Sequence, residues 1–96
     1  MARIGPKLQE TRLKRGLTLE RIADDTNISI RFLAKLENDD FTGFPGEPYL
    51  VGFIRNYAEY LGIDPNLAVD AYRGKFSFGG NDLEESMQTA QNPGGV

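Results

Sequence analysis

Between Tyr49 and Leu61 the apolar positions fall on two stripes of one predicted helix. At about 100° per residue, Leu50, Ile54, Tyr57 and Leu61 share one stripe. Tyr49, Phe53, Asn56 and Tyr60 share a second, roughly a quarter-turn away. A small helical domain needs one apolar stripe for its core. A second stripe of large aromatics calls for a partner, either elsewhere in the chain or outside it.

Helical spacing continues on both sides of this segment, and the turn residues between apolar runs predict five helices and no strand. The first runs from Pro6 to about Arg15, with proline in its first turn and Gly16 as its stop. Thr18 is placed to cap a second helix over Leu19–Thr26, which directs Leu19, Ile22 and Ala23 inward. Asn27 suits a left-handed turn residue, and Ile28 follows it into the core. Ser29 caps a third helix, Ile30 to about Asn38, with Leu33 and Leu36 inward. A loop rich in Gly and Pro, Asp39–Glu47, brings Phe41, Phe44 and Pro45 to the edge of the core. The fourth helix spans about Pro48–Leu61 and ends at Gly62. Asp64-Pro65 opens a fifth, carrying Leu67, Ala68, Ala71 and Tyr72.

Beyond Phe76 the pattern stops. Residues 77–96 hold four glycines and no aromatic after Phe78, a composition that buries too little surface to offset chain entropy. The expected organisation is a folded domain over 1–76 and a flexible tail over 77–96, with at most a marginal helical turn near Leu83–Met87.

Composition removes several functions. Among 96 residues there is no cysteine and no histidine, so disulfides, thiolate metal sites and the commonest general base are excluded. No apolar run approaches the roughly 18 residues of a membrane span, and the first residues lack a signal-peptide core. The chain as it stands is expected to be soluble. Asp24-Asp25 and Asp39-Asp40 are carboxylate pairs in sequence, yet neighbours on a helix diverge by about 100°, so capping or solvated charge explains them more simply than acid/base chemistry. No phosphate loop, nucleophile-base pair or metal spacing occurs. Neither enzymatic activity nor a cofactor is expected.

Net charge is −3, unevenly spread. Residues 1–38 carry eight Lys/Arg against five Asp/Glu, and residues 39–76 carry three against six. The second and third helices have helix-turn-helix spacing, which raises the question of DNA. The outward positions on the third helix are expected to be Ile30, Arg31, Ala34 and Lys35. Base readout calls for Gln, Asn, Arg or Ser there. Arg31 and Lys35 are possible phosphate contacts, but Glu37, Asp39 and Asp40 follow closely and repel a phosphate backbone. Arg12 and Glu37 occupy positions where phage-repressor-like domains place a structural ion pair, expected to fix register more than to stabilise.

On the fourth helix, Tyr49 and Phe53 sit in the first turns, where the fifth helix is not expected to reach. Tyr60 lies near the turn into that helix, which is expected to cover it. Gly52 leaves room for another chain, and Arg55 and Asn56 are candidates for a polar rim.

Ile4-Gly5, Leu8 and Arg12, then Thr18-Leu-Glu-Arg-Ile-Ala23, Leu36-Glu-Asn-Asp-Asp-Phe41 with Phe44-Pro45, and Tyr49-Leu-Val-Gly-Phe-Ile-Arg-Asn-Tyr-Ala58 together resemble the cytoplasmic domain of the RodZ family of bacterial cell-shape proteins. The resemblance covers residue 4 to about residue 73, and the Tyr-x-x-Gly-Phe-Ile-Arg-x-Tyr-Ala pattern is its most specific part. It implies an all-α, five-helix, phage-repressor-like helix-turn-helix domain. It also implies binding to MreB, the bacterial actin homologue, through aromatics that fall on Tyr49 and Phe53. Family members continue through a linker into a transmembrane helix, so the expected location of the whole protein is the cytoplasmic face of the inner membrane, with the present chain a soluble piece of it. The alternative function is a transcriptional regulator reading DNA with the third helix; otherwise DNA contact is expected to be weak.

Overall fold

The computed structural model describes residues 3–78, and these form five helices: α1 (Ile4–Lys14), α2 (Leu19–Thr26), α3 (Ile30–Glu37), α4 (Glu47–Leu61) and α5 (Pro65–Tyr72). From residue 79 onward the expected flexible tail, with the turn near Leu83–Met87, lies outside the described residues.

Chain-local signals set most of the boundaries. The Thr18 hydroxyl accepts from the Arg21 N–H at 3.1 Å, that of Ser29 from the Phe32 N–H at 3.4 Å, and the Asp64 carboxylate from the Asn66 N–H at 2.9 Å. Each satisfies a donor that the first helical turn leaves unpaired. Asn27 closes α2 in the left-handed conformation, at φ 64°, and Gly62 closes α4 at φ 85°.

α1 begins two residues earlier than the Pro6 start predicted from sequence. The cause is tertiary. The Gly5 N–H donates to Asp39 Oδ1 at 2.9 Å, and the Gly5 backbone lies directly against the carbonyls that end α3. A Cβ on Gly5 would stand 2.6 Å from the Glu37 carbonyl oxygen, so only glycine permits this crossing of α1 and α3.

The core is one cluster fed by every helix. Ile4 and Leu8 come from α1, Ile22 from α2, Leu33 and Leu36 from α3, Leu50, Ile54, Tyr57, Ala58 and Leu61 from α4, and Ala68 and Val69 from α5. Ile28 and Ile63 enter from the turns. The predicted core stripe of α4 is therefore buried along its length. Leu19, Ala23 and Leu67 are only half-buried, because their short helices each turn a narrow face inward. Phe78, two residues past the boundary drawn from composition, also packs against the core. Its ring meets Phe76 edge-on at 5.0 Å and lies 5.5 Å from Lys7 Nζ.

Candidate docking surface

α4 divides the surface around it. Its core stripe faces inward, one flank faces α5, and the other carries Tyr49, Phe53, Asn56 and Tyr60 toward the helix-turn-helix. On the α5 flank, Phe41 meets Tyr72 edge-on at 4.9 Å, and the Tyr72 hydroxyl donates to Glu47 at 3.4 Å. On the other flank, Phe53 stacks on Phe32 of α3 at 5.4 Å and lies 6.0 Å from Phe44 of the α3–α4 loop. Phe32 and Phe44 themselves stack at 4.7 Å. Three elements thus build a half-buried platform of three rings, and Tyr49 projects beside it, 59% exposed.

Phe32 has no place in the reading drawn from sequence. Its position on the third helix suggested neither core nor surface, and its partners lie 12 and 21 residues away. The Tyr60 hydroxyl donates to Asp25 on α2, whose other donor is Arg21 Nε at 2.9 Å, and Phe53 is covered by α3 and the loop.

The loop carrying Phe44 is held by a polar cluster. Lys35 Nζ donates to Asp40 Oδ2 at 2.9 Å and lies 5.9 Å from the Phe44 ring centre. The Thr42 hydroxyl and N–H both donate to Asp40 Oδ1, at 2.7 and 3.2 Å. The Thr42 hydroxyl first, then the Lys35 ammonium, push the Asp40 carboxyl down to about 2. Lys35 is therefore less outward than the sequence suggests. Its side chain is 20% exposed, and its charge is already matched.

The remaining predicted site residues separate into two groups. Asn56 is exposed on the Tyr49–Phe53 side. Arg55 is turned the other way, its Nη1 donating to Asn66 Oδ1 of α5 at 2.9 Å. Arg31 is exposed on the outer face of α3 beside a 43%-exposed Ile30.

Beneath the surface lies a buried ionic knot. Arg12 Nε and Nη2 donate to the two oxygens of Glu37 at 2.7 and 3.1 Å, and Nη1 donates to the Leu17 carbonyl at 3.0 Å. The Tyr57 hydroxyl donates to the same carboxylate. The knot joins α1, α3 and α4, so it fixes how the platform helices sit on the first helix.

Three of the four carboxylates in the acidic pairs serve the fold, and Asp24 is exposed. Asp25 binds Arg21 and Tyr60, Asp39 accepts from the Gly5 N–H, and Asp40 holds the loop. Among the described residues no group of three Asp or Glu converges as a metal site would require, and no helix is long and apolar enough to cross a membrane.

Residues 7–67 match a family model described as a helix-turn-helix domain. Over 69 residues the chain is 33% identical to the cytoskeleton protein RodZ of Streptococcus pneumoniae. The match takes in 72% of this chain and 25% of that protein, so the chain spans about a quarter of its relative's length. The solved structure of YmfM from Staphylococcus aureus, described as a candidate DNA-binding membrane protein, matches with a TM-score of 0.70 at 31% identity, covering 83% of this chain and 99% of that one.

Proposed function

Since the chain belongs to the RodZ family of helix-turn-helix domains, we propose that it is a cytoskeletal adaptor domain that docks on filaments of the actin homologue MreB through the outer flank of α4. In the whole protein this contact would tie filaments to the inner membrane, where it serves cell shape.

The observation that carries the reading is the pairing of an exposed Tyr49 with a ring platform that the fold has already ordered. The stacked rings are already ordered and lose little side-chain freedom on binding, and exposed aromatics beside such a platform are the residue type that dominates interface energies. Tyr49 and Phe53 are each expected to contribute about 2 kcal/mol or more when centrally buried. Reading DNA with α3 has less support. Phe32 is turned into the platform and Lys35 is matched by Asp40, which leaves Arg31 as the unmatched cation on that face.

Co-sedimentation with polymerised MreB tests the reading, with wild type beside Tyr49→Ala and circular dichroism as the fold check. Pelleting of wild type alone supports it. Failure of folded wild type to pellet refutes it.

A further inference from the structure

A docking surface of rings sets affinity but not orientation, and the charge that orients it can be found by elimination. Arg55 is removed by direction. It is held by Asn66 of α5 and stands roughly 160° around α4 from Phe53, so it borders the opposite flank. Lys35 and Arg21 are removed by pairing, since Asp40 and Asp25 already match them. Arg31 remains. It lies on the outer face of α3 one turn before Lys35, which flanks the Phe44 ring, and is exposed, with no ion pair or side-chain hydrogen bond to the described residues.

The location of Arg31 carries a second argument. It is the second residue of α3, where the helix dipole and unpaired N–H groups favour an anion. A cation there opposes helix stability, and no acid in the first turn compensates it. Its chemistry is of no use to the fold.

We infer that Arg31 is the orienting cation of the docking surface, and that the surface selects a protein segment whose apolar contact with Tyr49 and Phe53 is bordered by a carboxylate on the α3 side. The inference rests on the α4 docking reading. A guanidinium offers a planar pair of donors to a carboxylate, which fixes rotation of the partner about the ring contact. Long-range attraction of the same charge speeds encounter and makes it sensitive to salt.

The test is filament co-sedimentation at low and high salt with wild type, Arg31→Glu, Arg31→Lys, Arg55→Glu and Tyr49→Ala, each also melted thermally. Arg31→Glu is expected to weaken binding about tenfold or more and to flatten its salt dependence, while its melting temperature rises because an acid now suits the helix start. Arg31→Lys is expected to keep part of the affinity and Arg55→Glu nearly all of it. A structural role for Arg31 would instead lower both binding and melting temperature, and would overturn the inference. Wild-type affinity in Arg31→Glu, with Tyr49→Ala defective, would overturn it while leaving the docking reading intact. Absence of wild-type pelleting would remove both. Duplex DNA binding lost in Arg31→Glu, without filament binding, would assign the residue to nucleic acid.

Discussion

Arg12 grips Glu37 side-on, with two nitrogens on two carboxylate oxygens, and both side chains are almost wholly removed from water. A pair so buried loses much of its mutual attraction to the desolvation both charges suffer, so its net worth is small while its disruption is costly. Arg12→Leu leaves the Glu37 carboxylate buried with only the Tyr57 hydroxyl for company. It is expected to lower the unfolding free energy by about 3 kcal/mol. Adding Glu37→Leu to that variant should restore part of the loss, which urea denaturation of the single and double variants would measure.

Tyr57 gives the same knot a dependence on alkaline pH. Burial first, and then its hydrogen bond to Glu37, raise the phenol well above the ordinary tyrosine range. Below about pH 10 the phenol is protonated in both folded and unfolded chains, so it confers no slope. Above that, the unfolded chain releases the proton while the folded one keeps it, and stability falls as pH rises. Tyr60, raised by its hydrogen bond to Asp25 and then by burial, and Tyr72, raised by burial and then by Glu47, act in the same direction. Urea melts of Tyr57→Phe should show a shallower alkaline decline than wild type.

What sequence reveals here depends on how far apart the cooperating residues lie. Thr18, Ser29 and Asp64 act on groups two or three residues ahead, so their caps can be read directly from the chain. The core stripe of α4 is equally legible, because helical periodicity alone places Leu50, Ile54, Tyr57 and Leu61 together. The start of α1 is not, since it depends on Asp39 and the end of α3 meeting Gly5. The ring platform draws on three elements, and nothing local to Phe32 announces that Phe44 and Phe53 will close on it. Arg55 is a different case. Its two-residue offset from Phe53 puts it on nearly the opposite flank of a helix, however close the two stand in sequence.

Gly5 separates packing from propensity. Alanine forms helix better than glycine, yet a Cβ at this position would meet three backbone atoms of the α3 end within 2.9 Å. Backbone cannot swing aside as a flexible side chain does. Gly5→Ala is therefore expected to destabilise by about 2 kcal/mol, as overpacked cores do. Amide exchange should quicken at the contact between α1 and α3 before it quickens at that between α4 and α5.

Gly52 presents the opposite geometry, and with it a conflict between stability and docking. It lies inside α4 with nothing within 4 Å of a built Cβ, in a notch between Tyr49 and Asn56 on the exposed flank. A glycine in a helix interior costs about 1 kcal/mol relative to alanine, and no contact or positive φ requires one here. Gly52→Ala is therefore expected to raise the unfolding free energy by about 1 kcal/mol. If the notch receives the partner's surface, Gly52→Leu will keep that gain in helix content while blocking close approach. The expected result is a higher melting temperature together with at least about tenfold weaker filament binding, the equivalent of 1.4 kcal/mol. Wild-type affinity in Gly52→Leu would place the contact nearer the rings than the notch, and leave the glycine without an interfacial reason.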